Sequence, residues 1–502
     1  MDTEQAQLET VVVVGGGVAG LFAAMMLAGP GRRITVLERD PPPPAWTGDG
    51  GDADRAFTDW RRRGVGHLRH SHAFLARLVN ILRARHPALL EQLKAAGCRE
   101  FTLEDLLPST LKDRYVAAPG DDQMSILMSR RTTFELVTRR YVEGLPGVEI
   151  LPETFVTGIL ARRGPDGTLA VEGVRIEGGE AIRAALVIDA AGRLSQAAEW
   201  LGEAGVALEE TGEPAGILYY TRHWRLNPGQ DAPPRNGAPG AGDLGYLKYG
   251  LFNADNDHFS VTLAVTEVET ELRQAIVHPE AFDAICRALP GVAPWILPER
   301  ATAESKVFAM GDLSSRWRRM VKDGQPLATG LFLIGDGLIR SNPLYGRGTS
   351  FAAIEAEGLA RALSASDDPV SRAILYDSLV EQALKPFYDD MLEQDRSAIR
   401  RAAAGRAGTP ASLRGQVVQS FIRDGAGVAV RDDLPAFRAA LRAFHMLDPP
   451  RAWLREPRNM GVMLKAWARG RKRNAHLYPG RMGPERAEML ALLGLGERML
   501  AA

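Results

Sequence analysis

The run Val11-Val12-Val13-Val14-Gly15-Gly16-Gly17-Val18-Ala19-Gly20 decides the fold class, together with a second apolar run, Ile34-Thr35-Val36-Leu37, that ends in Glu38. A run of β-branched residues with no polar member is typical of a buried parallel strand. Between the two runs an apolar helix is predicted from about Leu21 to Leu27. The order of strand, glycine-rich turn, helix, strand and acid predicts an α/β domain built on a parallel sheet.

Each glycine of the Gly-x-Gly-x-x-Gly spacing has a physical role. Gly15 permits a tight turn, Gly17 lets a pyrophosphate approach the backbone, and Gly20 lets the helix pack closely on the strand. The helix N-terminus presents unpaired N–H groups to the phosphates. Glu38, at the tip of the second strand, can accept hydrogen bonds from a ribose diol. The sequence therefore predicts an adenine-dinucleotide site, and the alternative is a glycine-rich turn in an ordinary α/β core.

Length and composition restrict the function class. The chain has 502 residues, so two or three packed lobes are expected. Its 61 basic and 62 acidic residues nearly cancel, which argues against nucleic acid as a general partner. Cys98 and Cys286 are the two cysteines, too few for a disulfide framework or a cysteine metal site. With a polar, acidic start and no apolar run of about 18 residues, the chain is expected to be cytoplasmic and without a transmembrane segment.

The organisation changes along the chain. The segments Val148–Leu151, Phe155–Ala161 and Leu169–Ile176 alternate in polarity like the strands of a β-meander. Antiparallel strands and a helical piece predict a β-rich lobe between Gly216 and about Val307. From about residue 370 the pattern is helical, with breaks expected at prolines, namely Pro386, Pro410 and Pro449-Pro450.

A second constellation begins with the apolar strand Leu331–Ile334, which runs into Gly335-Asp336. Asp336 therefore lies at the carboxyl end of a strand, where ligands bind in such sheets, and can hold a polyol hydroxyl. Gly346 and Gly348 remove side chains from the following loop, so its N–H groups can approach a planar ring. A helix beginning near Thr349 points its positive end at that ring. This arrangement suits a reduced flavin, which carries negative charge around N1 and the C2 carbonyl.

These motifs give the chain a family resemblance. It resembles FAD-dependent monooxygenases of the p-hydroxybenzoate hydroxylase fold, most closely the branch of polyketide-olefin epoxidases and squalene epoxidase. The matching pieces extend over nearly the whole length: Gly15–Gly20 with Glu38-Arg39-Asp40, Gly64–His72, Arg131–Glu135, Asp189–Ser195, Tyr220–Arg225 and Gly335–Gly348.

The resemblance implies a set of FAD contacts. Glu38 would bind the adenosine ribose, Arg39 would lie against the adenine, Val156 would contact the adenine through its backbone, and Arg131 would reach the pyrophosphate or the ribityl chain. Asp336 would bind the ribityl chain. The remaining cofactor-binding candidates lie in the matching motifs: Gly15, Gly17, Val18, Ala19, Gly20, His70, Asp189, Gly192, Pro343, Gly346, Arg347 and Gly348.

The chain departs from the family at two places. Gly66-His67 stands where Pro-Gln is usual, and Arg347 stands where Gln is usual. A guanidinium beside the ring would raise the flavin potential and could bind an anion. No catalytic residue is identified; the candidates near the flavin are Arg347, Pro343 and His67. His67, His70 and His72 could also suggest a metal, but no acid or cysteine completes a ligand set nearby, so no metal is expected.

The implied architecture is a Rossmann-type FAD-binding domain, with a parallel sheet and a β-meander, interleaved with a β-rich substrate domain and followed by a helical region. The predicted FAD-binding parts are residues 1–98, 129–212 and 328–369. The substrate domain is predicted at 99–128 and 213–327, and the C-terminal helical region at 370–502.

The implied activity is insertion of one oxygen atom from O2, through a flavin C4a-hydroperoxide, into a hydrophobic small molecule of secondary metabolism, by epoxidation or hydroxylation. Because no second glycine fingerprint is present, NAD(P)H would bind transiently or a separate flavin reductase would supply electrons. The substrate is expected near six side chains of the β-rich lobe: Tyr220, Arg222, Trp224, Tyr246, Tyr249 and Phe259. Core packing explains each of these aromatic residues equally well.

Other functions remain open. A reductase or dehydrogenase of an unsaturated substrate shares the fold and would work without oxygen. A flavin-dependent halogenase would need a Trp-x-Trp-x-Ile-Pro motif, which is absent. A protein of the GDP-dissociation-inhibitor type would keep the dinucleotide fold for protein binding, against which Asp336 and Gly346–Gly348 argue. The basic segment Lys465–Arg473 fits a solvated helix face or an interfacial helix.

Overall fold

The apolar run near the start of the chain forms a buried strand, Glu9–Val14, in a computed structural model that describes residues 8–165, 167–234, 237–410 and 412–495. The strands of these ranges, in chain order, are β1 (Glu9–Val14), β2 (Arg32–Leu37), β3 (Ala73–Phe74), β4 (Arg99–Phe101), β5 (Ile126–Met128), β6 (Val148–Leu151), β7 (Val156–Arg163), β8 (Leu169–Ile176), β9 (Ala181–Arg183), β10 (Leu186–Asp189), β11 (Glu209–Pro214), β12 (Ile217–Leu226), β13 (Ala241–Asp243), β14 (Leu247–Asn253), β15 (His258–Thr266), β16 (Ala301–Ala303), β17 (Phe308–Met310), β18 (Ser314–Arg319), β19 (Val321–Lys322), β20 (Gln325–Pro326), β21 (Leu331–Leu333) and β22 (Ile339–Arg340).

The α-helices of the same ranges are α1 (Val18–Leu27), α2 (Asp52–Asp59), α3 (Ala76–Arg85), α4 (Pro87–Ala95), α5 (Leu103–Leu106), α6 (Ser109–Lys112), α7 (Arg131–Glu143), α8 (Ala197–Glu203), α9 (Thr270–Ile276), α10 (Pro279–Ala288), α11 (Gly348–Ala365), α12 (Pro369–Arg406), α13 (Leu413–Ser420), α14 (Gly427–Asp432), α15 (Leu434–Phe444), α16 (Ala452–Arg455), α17 (Pro457–Arg473) and α18 (Arg486–Leu492).

A parallel sheet in the order β21-β10-β1-β2-β6 forms the base of the molecule. Its last strand corrects the sequence analysis, which placed Val148–Leu151 in the meander. The meander consists of β7, β8 and β9, whereas β6 pairs in parallel with β2 from Ile34↔Val148 to Leu37↔Leu151. The helix α7 carries the chain back across the sheet, so that β6 runs in the same direction as β2.

Helix α1 packs between the sheet and α11. It is apolar on all sides, as a helix buried among other elements must be, and starts at Val18, three residues before the predicted start. The main hydrophobic core contains residues of β1, α1, β10, β21 and α11. These elements fix the glycine-rich turns that follow β1, β10 and β21 at one edge of the sheet.

A second, antiparallel sheet, in the order β13-β14-β15-β12-β16, forms the β-rich lobe, with β17 also paired to β12. One face of this sheet packs on α9 and α10 and on residues of α18. The other face looks toward the carboxyl end of the parallel sheet. This combination of sheets, followed by helices from α12 onward, confirms the predicted fold class.

The predicted helix break at Pro386 is wrong. Helix α12 runs through Pro386 from Pro369 to Arg406. Its buried face, which includes Val380, Leu384, Phe387 and Met391, packs on the core on both sides of the proline, and this packing offsets the hydrogen bond that proline cannot make. Among the described helices, none combines the length and hydropathy that crossing a bilayer requires.

Candidate active site

Three glycine-rich turns from distant parts of the sequence touch each other. A Cβ on Gly15, whose φ is +104°, would lie 2.6 Å from the carbonyl oxygen of Ala190. A Cβ on Gly335, at φ +63°, would lie 2.6 Å from the Cβ of Ala19. The turns after β1, β10 and β21 therefore need glycine at these contacts, and together they form one edge of a cavity.

This cavity has a volume of about 920 Å3 and extends from the parallel sheet to the antiparallel one. Most of the predicted cofactor-binding residues lie on its wall. They come from all three turns and from the segments that surround them: Gly15, Gly17, Val18, Ala19, Glu38, Arg39, His70, Arg131, Val156, Gly192, Asp336, Pro343, Gly346 and Gly348, with the candidate His67.

At one end of the cavity, Glu38 is held by backbone and side-chain donors. Its Oε2 accepts the N–H of Gly16 at 2.8 Å and a guanidinium N–H of Arg62 at 2.6 Å, while Oε1 accepts the N–H of Asp40 at 2.8 Å. The N–H of Thr154 donates to the Glu38 carbonyl, which brings the start of β7, with Val156, beside it. Sequence analysis missed Arg62, because nothing in its local sequence marks it as a partner of Glu38.

The Asp336 carboxylate accepts no hydrogen bond from a described residue. Burial raises its pKa, and the nearby guanidinium groups of Arg340, Arg131, Arg316 and Arg193 oppose this rise. An acid that faces a cavity without a protein partner, among several cations, is ready to accept hydrogen bonds from ligand hydroxyl groups.

Arg131 interacts with two of the three histidines. Its Nη1 donates to Nε2 of His67 at 3.2 Å and to Nε2 of His72 at 3.4 Å, and its Nε donates to Glu135 at 3.0 Å. Burial lowers the pKa of His67 well below its usual value and that of His72 to about 3, with repulsion from Arg131 acting in the same direction. Both rings are therefore neutral acceptors, and the positive charge at this part of the wall belongs to Arg131.

Three of the predicted cofactor-binding residues, Gly20, Asp189 and Arg347, lie outside the cavity lining. Gly20 packs against β1, where a Cβ would meet the Gly15 carbonyl oxygen at 1.9 Å. Asp189 is buried and accepts hydrogen bonds from the N–H of Ala191 at 2.9 Å and the hydroxyl of Ser195 at 2.5 Å, so it holds the turn after β10.

Arg347 points away from the cavity, which corrects the expected position of a guanidinium beside the ring. Its Nη1 donates to the carbonyl of Phe387 at 3.0 Å, and its Nη2 lies 3.7 Å from Asp390. The acceptors on α12 and the rings of Tyr345 and Phe387 attract the guanidinium to that side.

One of the six predicted substrate residues lies on the cavity wall, and five do not. Tyr249 lines the cavity. The others, Tyr220, Arg222, Trp224, Tyr246 and Phe259, lie off the cavity wall. Trp224 stacks on Phe259 with ring centroids 5.9 Å apart, and Arg222 pairs with Asp283 of α10 at 2.5 Å. Because neighbouring residues of a strand face opposite sides, the cavity is faced instead by Tyr219 and Thr221.

We call the part of the cavity beside the antiparallel sheet the outer chamber. Its wall is mainly apolar and comes from four elements, β5, β14, β17 and α15. The contributing side chains, which sequence analysis did not identify, are Ile126, Met128, Leu251, Phe252, Met310 and Phe444. Phe444 ends α15, so the C-terminal helical region forms part of this wall. Strand alternation was the sequence feature that could have identified Phe252, since it lies two residues from Gly250 on the cavity face.

The residues present fit FAD. Apart from Gly17 and its two chain neighbours, no described residue has an atom within 4 Å of the position that a Cβ of Gly17 would take, which leaves room for a pyrophosphate at the N-terminus of α1. The carboxylates of Glu38 and Asp336 lie at separate parts of the same cavity, as the ribose and the ribityl chain of one dinucleotide require.

Comparison with known proteins finds one relative in sequence and several proteins of similar fold. Protein Rv3254 of Mycobacterium tuberculosis (strain ATCC 25618 / H37Rv) is 29% identical over 382 residues, which are 70% of this chain and 73% of that protein. The fold is similar to that of OxyS anhydrotetracycline hydroxylase from Streptomyces rimosus, with a TM-score of 0.52 and 18% identity over 88% of this chain and 76% of that one. It is also similar to p-nitrophenol 4-monooxygenase PnpA from Pseudomonas putida DLL-E4, with a TM-score of 0.52 and 19% identity over 89% of this chain and 100% of that one.

A family match identifies the cofactor. Residues 10–217 match the family described as FAD binding domain, and this range contains β1, the glycine-rich turn, Glu38, Arg131 and the turn after β10. Asp336, outside the matched range, completes the same cavity. The chain is an FAD-dependent oxidoreductase.

Proposed function

We propose that this protein is a monooxygenase that inserts one oxygen atom from O2 into a hydrophobic small molecule, by epoxidation or hydroxylation, in secondary metabolism. One observation carries the proposal: the cavity that contains the three glycine turns continues into an apolar chamber between the two sheets. Bound FAD, once reduced, supplies the electrons that activate O2. A chamber next to it gives a substrate a site from which water is excluded.

The residues of this chain have distinct proposed roles. Glu38 binds the adenosine ribose, with Arg39 and the Val156 backbone at the adenine. The N-terminus of α1 holds the pyrophosphate, and Asp336 holds the ribityl chain. The loop from Pro343 to Gly348 lies along the ring, with its N–H groups and the positive end of α11 stabilising negative charge there.

The substrate side of the chamber needs no acid–base residue, because positioning and exclusion of water are the main contributions of the protein to oxygen transfer. The rings of His67 and His72 are neutral, and the Nε2 atom of each already accepts a hydrogen bond from Arg131, so they are unsuited to proton transfer. The proposed substrate is an uncharged, apolar and polycyclic or polyketide-like molecule. The structural neighbours named above, a hydroxylase of anhydrotetracycline and a monooxygenase of p-nitrophenol, support oxygenation in general.

The electron source is proposed to be NAD(P)H that binds transiently or a separate flavin reductase, since the sequence contains no second glycine fingerprint. A first test can reduce the flavin chemically, so that its result does not depend on which electron donor the protein uses.

The test begins with the holoenzyme reduced by dithionite without air and then mixed rapidly with O2. A monooxygenase should pass through a species whose absorbance differs from that of both reduced and oxidised FAD. Product formed from candidate olefins under 18O2 should then contain one labelled oxygen atom. Single-phase reoxidation with no labelled product would refute the proposal. Conversion of the substrate without air would indicate a dehydrogenase, and a product that forms only with added bromide or chloride would indicate a halogenase.

A further inference from the structure

A chain of hydroxyl groups lies on the cavity face of the antiparallel sheet. The Oγ1 atoms of Thr221 on β12 and Thr262 on β15 are 2.7 Å apart, and the two residues are paired across the strands. Ser71 Oγ lies 2.8 Å from Thr262 Oγ1 and 2.7 Å from Ser260 Oγ. At the other end, His70 Nδ1 lies 2.9 Å from Thr221 Oγ1. We call these five residues the hydroxyl patch.

The hydroxyl patch carries no charge. Burial lowers the pKa of His70 to about 4, so its ring is neutral at ordinary pH. None of the ion pairs between described residues includes a member of the patch. Two cations of the cavity wall have other partners: Arg131 contacts His67 and His72, and Lys248 pairs with Asp243. A charged ligand group placed here would lose its hydration without gaining a counter-charge, which is unfavourable.

The hydroxyl patch has one hydrogen-bond donor more than its internal contacts use. Four hydroxyl groups and one N–H of a neutral imidazole make five donors, whereas the chain has four contacts. Whichever way the hydrogen bonds of the patch run, one donor therefore has no acceptor inside the patch. His70, Ser71, Thr221 and Thr262 line the cavity, but Thr221 is fully buried, as Ser260 almost is, so the spare donor is best placed on His70, Ser71 or Thr262.

The surroundings of the patch are apolar. Gly250 is paired with Thr262, and the ring of Phe252 folds over Gly250, where a Cβ would lie 2.8 Å from a ring carbon. Met310 and Ala264 continue the wall on the same face. Lys248, which is paired with Ala264, also lines the cavity, and its ammonium group pairs with Asp243. A ligand beside the patch therefore meets an uncharged polar group flanked by apolar side chains.

We propose that the hydroxyl patch determines substrate specificity by binding one uncharged oxygen, a carbonyl or hydroxyl group, of an otherwise apolar substrate. This assignment takes the outer chamber to be the substrate site of the proposed function. The patch would orient the molecule by one hydrogen bond, while its apolar body lies against Phe252 and Met310. A hydrocarbon of the same shape would leave the spare donor without a partner and bind less tightly.

Two probes of matched shape test this proposal, methyl naphthyl ketone and isopropenylnaphthalene, which differ in having C=O or C=CH2. Their affinity for the oxidised holoenzyme is measured from the change in flavin absorbance. We expect the wild-type enzyme to prefer the ketone by about 2- to 10-fold, the effect of one neutral hydrogen bond. The triple variant His70→Phe/Ser71→Ala/Thr262→Val removes the three donors on the cavity side of the patch, so it should bind both probes equally.

Thr266→Val is the matched control. Its hydroxyl is on β15, as is that of Thr262, but it is buried and has no hydrogen-bond partner among the residues that the structure describes. It should keep the preference. Ser71→Ala/Thr262→Val provides a milder variant if the triple variant loses FAD, and it should reduce the preference because it removes two of the three donors on the cavity side. Equal affinity of the wild-type enzyme for both probes, binding of neither, or an unchanged preference in the patch variants would overturn the assignment. The binding titration consumes no O2, so it is independent of oxygen transfer. A protein that prefers the ketone but transfers no oxygen would refute the monooxygenase proposal and leave the assignment of the hydroxyl patch standing.

Discussion

Arg62 donates a guanidinium N–H to Glu38 at 2.6 Å, on the carboxylate oxygen that also accepts the N–H of Gly16. Both side chains are buried. Arg62 also pairs with Glu135 and lies 3.5 Å from Asp40. Burial favours the neutral form of Arg62, but the three carboxylates outweigh it and raise its pKa. One cation therefore offsets part of the negative charge of three acids and orients Glu38 on the cavity wall.

Replacement of Arg62 should weaken FAD binding. In Arg62→Met the carboxylate of Glu38 loses a buried, charge-assisted hydrogen bond and is free to turn away from the ribose. Loss of such a bond predicts an FAD dissociation constant about 10- to 100-fold higher, measured by titration of the apoprotein with FAD. Arg63→Met is the control, because this neighbouring side chain is exposed. Equal affinity of Arg62→Met and the wild type would show that Glu38 is oriented without Arg62.

Asp336→Ala should lower the FAD content of the purified protein. The carboxylate faces the cavity and accepts no hydrogen bond from the described part of the chain, so its removal costs contacts to the ligand and few within the protein. The ratio of flavin to protein absorbance measures the effect, and the melting temperature of the apoprotein should change little. Asp389→Ala, at an exposed position of α12 paired with Lys385, is the matched control. Full flavin occupancy in Asp336→Ala would remove this residue from the cofactor site.

Phe444→Ala should weaken binding of apolar ligands without destabilising the protein. The side chain is 54% exposed and lines the chamber, so its ring has more contact with a ligand than with the core. Loss of that contact predicts about 3- to 10-fold weaker binding of isopropenylnaphthalene to the holoenzyme. Leu413→Ala alters another exposed apolar side chain of the C-terminal region, off the chamber wall, and should leave binding unchanged. Equal binding by both variants would place the ligand elsewhere.

Acid should destabilise the protein between about pH 6.5 and pH 4. Burial lowers the pKa of His70 to about 4 and those of His72 and His223 to about 3, from an ordinary value of 6.5. The folded protein keeps these rings neutral, whereas the unfolded chain takes up protons below pH 6.5. The unfolded state binds more protons in this window, so stability falls as the pH falls, by up to roughly 1.4 kcal/mol per pH unit for each ring.

Urea unfolding followed by tryptophan fluorescence at pH 7 and pH 5 measures this effect. His70→Gln should show a smaller loss of unfolding free energy between the two pH values than the wild type. His476→Gln, at an exposed position, should show the same loss as the wild type. A wild-type free energy of unfolding that is equal at both pH values would contradict the buried, neutral state of these histidines.

Much of the parallel sheet and the cofactor end of the site could be predicted from local sequence. The turn after β1 needs glycine at Gly15 because of its own backbone conformation, and an uninterrupted run of valines is buried whatever surrounds it. Glu38 and Asp336 follow apolar strands, and in a parallel sheet all strands end at the same edge. The strand β6 was assigned to the wrong sheet, since four alternating residues fit a parallel or an antiparallel neighbour equally well.

The substrate end could not be predicted in the same way. Both faces of β12 carry large aromatic residues, with Tyr219 on one side and Tyr220 and Trp224 on the other, so the polarity pattern does not distinguish the chamber from the core. The partners of Arg62 and Arg347 lie far away in the chain, and a guanidinium turns toward whichever acceptors the fold brings near it.

The amino-acid sequence alone determined the turns, the buried strands and the acids at their ends, because these depend on neighbouring residues and on the geometry of a parallel sheet. Only the tertiary structure decided which side of the antiparallel sheet became the chamber. Helices α9 and α10 cover one face of that sheet, and the face left toward the FAD cavity carries Thr221 and Thr262. A shift of one residue along β12 exchanges the two faces, and this choice is set by packing between elements that are distant in the chain.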